Sequence, residues 1–85
     1  MTEPREIRIK RLKMRSMRRG IKEMDMILSA YADTHLADMD RAMMDVYDAM
    51  LDENDQDLYQ WVTGQVAAPP PFTALIGDIT QALQK

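Results

Sequence analysis

Cysteine is absent from this chain, which excludes disulfides and thiolate metal sites and fits a reducing compartment. No sustained alternation of β-branched residues occurs, so nothing predicts a sheet. No apolar run approaches the ~20 residues needed to span a bilayer, so membrane insertion is not expected. Glycine occurs only three times, at Gly20, Gly64 and Gly77, and never in a phosphate-cradling or dinucleotide pattern. No stably bound cofactor is therefore expected. His35 is the sole imidazole and has no Ser or Cys nucleophile at a recognisable spacing, so no catalytic residue is identified. Its place near a helix end suits a cation against the helix dipole.

What is present is helical periodicity. Eighty-five residues make one domain, 1–85, small enough to be marginally stable. Segment one, about Arg5 to Met17, carries Ile9, Leu12 and Ser16 at helical spacing. Segment two, about Ile21 to His35, aligns Met24, Ile27, Leu28 and Tyr31. Segment three, about Asp40 to Leu51, aligns Met43, Tyr47, Met50 and Leu51, with Asp40 as N-cap and Met39–Met44 as a hydrophobic staple. Segment four, about Gln56 to Thr63, carries Leu58, Trp61 and Val62, with Asp55 as its cap and Gly64 closing it in a left-handed conformation. A Pro-rich joint at 67–71 precedes the last helix, about 72–84, with Phe72, Leu75, Ile76, Ile79 and Leu83 on its stripe. The expected fold is all-α, a small bundle of about five short helices, with Trp61 covering the centre of the core.

Charge is divided along the chain. Nine of the eleven Lys and Arg fall between Arg5 and Lys22, and nine of the fourteen acids between Asp33 and Asp57. This split predicts two faces of opposite potential, suited to steering and orienting a partner. Nine methionines are better read as core filler than as soft metal ligands, and no metal site is expected. The acids from Asp52 to Asp57 fail as a calcium loop. Asp57 stands where Gly is needed, and Thr63 where Glu is needed. The basic stretch Arg8 to Arg15 offers an alternative function, a small nucleic-acid-binding regulator. Net charge of −3 and the lack of interleaved aromatics weigh against nucleic acid. Arginines spread around several sides of the helix weigh against a membrane-surface or calmodulin-type helix.

The most informative run is Arg18-Arg19-Gly20-Ile21-Lys22-Glu23-Met24-Asp25, at the junction of the basic and acidic regions, with the turn spanning about 5–25 together with the first helix. Gly20 tolerates positive φ and close approach, and the flanking charges suit recognition of opposite charge. Residues 19–23 read RGIKE. With Arg11-Leu12 and Arg15-Ser16 upstream, and Asp55-Gln56-Asp57-Leu58-Tyr59-Gln60-Trp61 downstream, the chain resembles the succinate dehydrogenase flavinylation (assembly) factor family, whose mark is RGxxE.

The resemblance covers about Arg11 to Gly64. It implies a non-enzymatic chaperone that binds the flavoprotein subunit of succinate dehydrogenase, and often that of fumarate reductase. The factor promotes covalent FAD attachment there, so the FAD belongs to the partner. It implies partner contacts at Arg19, Gly20 and Glu23, which we extend to Arg11, Arg15, Arg18 and Asp25. The Arg-rich start carries Glu3 and Glu6 and no Ser-rich stretch, so a bacterial-type cytoplasmic chain is expected.

Overall fold

The structure is a computed structural model that describes residues 3–83. Five α-helices follow in order: α1 Arg5–Arg15, α2 Lys22–His35, α3 Arg41–Met50, α4 Asp55–Val62 and α5 Thr73–Leu83. Single 3₁₀ turns at Leu36–Asp38 and Pro70–Phe72 lead into α3 and α5. No strand occurs among the described residues, and the all-α expectation holds. No helix among them is long and apolar enough to cross a membrane. Residue 84, expected in the last helix, lies outside the described residues.

The helix ends show why these segments start and stop where they do. Asp40 caps α3 as expected, its carboxylate accepting the Met43 N–H at 2.7 Å. Met39 and Met44, the staple pair, are both buried. Gly64 adopts φ 82°. The Gly64 N–H bonds Trp61 O at 3.2 Å and the Gln65 N–H bonds Gln60 O at 2.9 Å, a Schellman closure of α4. The cap of α4 corrects the sequence reading. Asn54 accepts the Gln56 N–H at 2.8 Å, and Asp55 is already the first helical residue. Asp55 does not cap because its carboxylate is engaged elsewhere in the chain.

Leu12, Met24, Leu28, Leu36, Tyr47, Met50, Leu58 and Ile79 are wholly buried and draw all five helices into one core. Tyr47, and not Trp61, is the wholly buried aromatic of the core. Its hydroxyl meets Ser16 Oγ at 2.6 Å, and Ser16 Oγ also donates to Leu12 O at 2.8 Å, so this buried polar pair is satisfied. Trp61 is only partly buried and lies beside Phe72, ring centroids 5.9 Å apart. Leu58 and Val62 share the face of α4 that meets the core, which turns position 61 to the flank. Leu83, also expected on the core stripe, is 45% exposed.

Much of the charge that the sequence divides into a basic and an acidic block is paired within the chain. Arg8 pairs with Asp45 at 2.6 Å, Arg11 with Asp48 at 3.3 Å, Arg15 with Asp48 and with Asp52 at 2.5 Å, and Arg19 with Asp55 at 2.7 Å. The separations are 37, 37, 37 for Arg15–Asp52 and 36 residues. Arginines at 8, 11 and 15 and acids at 45, 48 and 52 share one helical spacing, and the Arg19–Asp55 pair falls one residue short of it. Two blocks of opposite sign with matched period thus neutralise one another when α1 and α3 run in the same direction. The N-terminal end is tied down by Arg5, whose Nη2 donates to Ala37 O at 2.9 Å and Met39 O at 2.5 Å.

Candidate functional site

The segment between α1 and α2 is a short loop held at three points. Asp55 Oδ2 accepts the Gly20 N–H at 2.6 Å. Its other oxygen, Oδ1, accepts from Arg19 Nε at 2.7 Å. Asp25 Oδ2, from the first turn of α2, accepts the Arg18 N–H at 3.0 Å, and Asp25 Oδ1 accepts from Ser29 Oγ at 3.2 Å.

Arg19 is turned inward, its side chain 12% exposed and that of Asp55 16%. Its Nη1 donates to Leu51 O at 3.1 Å and Arg15 O at 3.2 Å, and its Nη2 to Glu53 O at 3.4 Å. Leu51 is the C-cap of α3, where carbonyls lack helical partners, and Asp55 opens α4. The guanidinium therefore sits at the negative end of one helix dipole while pairing a carboxylate at the positive end of the next. One side chain joins the α1–α2 loop to the α3–α4 corner.

Gly20 has a role different from the one its flexibility suggested. The left-handed residue of the loop is Arg18, at φ 56°, whereas Gly20 has no positive φ. What position 20 requires is space: a Cβ there would lie 3.1 Å from Asp55 Oδ2. Glycine lets the carboxylate approach the backbone, because the atom it would crowd is the one that accepts the amide proton.

The sequence-identified residues separate into two groups. Arg11, Arg15, Arg19 and Asp25 point into contacts within the chain, with Arg11 also bonding Glu3 at 2.9 Å. That contact holds the Glu3 carboxyl below its usual range. Arg18, Gly20 and Glu23 are exposed, and neither Arg18 nor Glu23 has an ion pair among the described residues. Asp55, part of the downstream family element, was given only the role of a helix cap by sequence reasoning. The matched spacing of the first three Arg–Asp pairs was the signal that could have brought it close to Arg19, one residue out of step.

His35 stands apart from this loop. It stacks on Tyr31, with centroids 4.4 Å apart, beside a groove of about 500 Å³ between α2 and α5. Tyr31 donates its hydroxyl proton to Asp78 at 2.5 Å.

A five-helix chain with a pinned RGxxE loop defines a small helical protein of the RGxxE class. A family model described as flavinator of succinate dehydrogenase matches residues 10–83, and the chain belongs to that family. It is similar to succinate dehydrogenase assembly factor 2, mitochondrial, of the yeast Meyerozyma guilliermondii, 39% identical over 84 residues, covering 98% of this chain and 62% of the relative. The protein of that name from Drosophila grimshawi is 35% identical over 85 residues, covering 98% of this chain and 56% of the relative. That from Aspergillus terreus is 49% identical over 53 residues, covering 62% of this chain and 18% of the relative. The chain thus spans about three fifths or less of these relatives' length.

The comparison corrects one expectation. The relatives are named as mitochondrial proteins of fungi and an insect, which overturns the expectation of a bacterial-type cytoplasmic chain. The cytoplasmic reading came from composition, whereas compartment addresses are read by receptors and leave no mark on helix packing.

Proposed function

We propose that this chain is an assembly factor that binds the flavoprotein subunit of succinate dehydrogenase and promotes covalent attachment of its FAD. The observation that carries this reading is the pinned loop in a member of the flavinator family. Arg19 and Asp55 fix the loop from inside, leaving Arg18, Gly20 and Glu23 on the outer surface in one preset arrangement. Partner contacts then form without first ordering a flexible segment, which lowers the cost of association. Arg11, Arg15 and Asp25 support the presented residues through their contacts within the chain.

In this reading the chain is a chaperone and not the catalyst, and the FAD is held by the flavoprotein. By gripping the flavoprotein, the factor favours a conformation in which flavin and acceptor side chain are aligned, and such alignment alone removes part of a reaction barrier. The factor must bind the unfinished form better than the finished one, since only differential affinity shifts an equilibrium. The flavoprotein of fumarate reductase is a second partner of the same kind. The inward pairing of Arg8, Arg11, Arg15 and Arg19 favours a protein partner over nucleic acid, because those guanidinium groups already have carboxylates.

The test is reconstitution. Apo-flavoprotein and FAD are incubated with and without the chain, and covalent flavin is read by fluorescence after denaturing electrophoresis. Faster attachment with the chain is expected. An unchanged rate, together with no co-elution of the two proteins, removes the proposal.

A further inference from the structure

The outward side of α1 and the start of α2 carry most of the exposed large apolar side chains among the described residues. Ile7 is 56% exposed, Met14 66%, Met17 45% and Met26 66%. Ile7, Lys10 and Met14 follow one another at helical spacing on the side of α1 opposite the buried Leu12, and Met17 lies just past the end of the helix. Two contacts tie the adjoining edges of α1 and α2: Ser29 Oγ donates to Ser16 O at 3.4 Å, and Lys13 Nζ lies 4.0 Å from Asp33 Oδ1. Lys22, Met26, Ser29 and Asp33 form one stripe of α2, so Met26 faces outward beside the same seam. A shallow groove lined by Ile7, Lys10, Arg11, Met14 and Arg15 runs along α1.

Charge gives this surface its sense. Arg8, Arg11, Arg15 and Arg19 are consumed by the acids of α3 and α4, and Arg5 by two carbonyls. Lys10, Arg18 and Lys22 have no ion pair among the described residues, and all three border the methionine surface. Glu6 and Glu23 stand at its margins. An apolar centre with a charged rim is the anatomy of a docking surface, and flexible thioethers adapt to an irregular counterpart.

We infer that Met14, Met17 and Met26, rimmed by Lys10, Arg18 and Lys22, form a second docking surface, continuous with the RGxxE loop, for an apolar patch bordered by carboxylates on the flavoprotein. The inference rests on the proposed function and adds the chemistry of the partner's surface. The unpaired cations call for acidic counterparts. Glu6 and Glu23 disfavour an anionic lipid surface, and a second copy would bring like charges together across a two-fold axis.

The experiment titrates purified flavoprotein with three forms of the chain: wild type, the M14E/M26E pair and V66E. Val66 is 47% exposed and lies beyond α4, outside this surface. M14E/M26E is expected to weaken binding by at least about tenfold with an unchanged thermal midpoint, since both side chains already face solvent. V66E is expected to bind as wild type. If M14E/M26E lowers the midpoint, the K10E/K22E pair reads the same surface through its rim and is expected to weaken binding while wild-type stability is kept. Wild-type binding matched by both pairs removes the docking surface and leaves the proposed function standing. No wild-type binding removes the proposed function and this inference with it. Vesicle binding or self-association of the wild type that M14E/M26E abolishes, with flavoprotein affinity unchanged, assigns the surface to a different occupant and overturns the inference.

Discussion

Asp55 accepts the backbone N–H of Gly20 at 2.6 Å across 35 residues of sequence, and a Cβ at position 20 would come within 3.1 Å of the same oxygen. The amide bond and the missing side chain are two aspects of one contact.

Asp55→Ala removes a carboxylate serving two donors and leaves Arg19 without its counter-charge. The expected loss is about 2–4 kcal/mol, because a largely buried pair is broken from one side. Gly20→Ala presses a methyl group against an oxygen that Arg19 holds in place and is expected to cost about 1 kcal/mol. Both variants should stay helical by circular dichroism, with urea midpoints in the order wild type, Gly20→Ala, Asp55→Ala. A Gly20→Ala midpoint equal to wild type would show that the carboxylate can move aside.

Arg18 carries a left-handed backbone at φ 56°, a conformation that costs an L residue of order 1 kcal/mol. Arg18→Gly should therefore raise stability by about that amount, or several degrees of melting temperature for a domain of this size. It also removes an exposed cation, so association with the flavoprotein should slow at low salt, with the difference shrinking as salt rises. A stabilised variant with undiminished association would separate the backbone role of Arg18 from any role of its charge.

Tyr47 is wholly buried in the core, and that burial pushes its phenol up to about 12, with the Ser16 hydrogen bond and the Arg19 charge acting the other way. The folded form holds the proton more tightly than the unfolded chain, where tyrosine titrates near ~10. The contribution of Tyr47 is thus fully present below about pH 10 and is lost as pH rises from there towards 12, about 2–3 kcal/mol in all. Tyr31 is raised too, first by burial and then by its bond to Asp78, and adds to the same alkaline loss. Urea midpoints measured between pH 8 and about 11 should fall steeply for the wild type and less steeply for Tyr47→Phe. Parallel slopes would count against a neutral, buried phenol.

Leu58→Ala should destabilise the domain more than Trp61→Ala, despite the larger side chain of tryptophan. Leu58 is wholly buried and its truncation leaves a cavity worth about 2–5 kcal/mol. Trp61 lies at the rim against Phe72, and its loss is expected to cost about 1–2 kcal/mol. Denaturant unfolding of the two variants decides the order, and the reverse order would return Trp61 to the core.

Helix content and the main caps were legible because they are local. Asp40 as cap, Gly64 as stop and the burial of Leu12, Met24, Leu28 and Tyr47 follow from residues a few positions apart. The internal neutralisation of the charge blocks was harder to see, because it depends on α1 lying beside and parallel to α3. Asp55 shows the same limit. A local reading makes an acid before a helical stripe a cap, while the fold offers it an amide and a guanidinium from a distant loop. Trp61 was placed by size and apolarity, yet the core face of α4 passes through Leu58 and Val62. The RGxxE residues were visible in sequence, but not that Arg19 faces inward while Arg18 and Glu23 face outward.

The bond from Asp55 to the RGxxE loop also bears on the order of events during synthesis. Residues 19–23 leave the ribosome well before residues 51–55, which supply the carbonyls and carboxylate that shape them. Contiguous in sequence, the RGxxE loop is discontinuous in its making. A nascent chain or a peptide cut from the loop carries every letter of the motif without the template that gives it form. On the proposed function, a partner that reads this shape engages only chains whose α3–α4 corner has already closed, so the motif would certify the folding of its own chain before any contact with another protein.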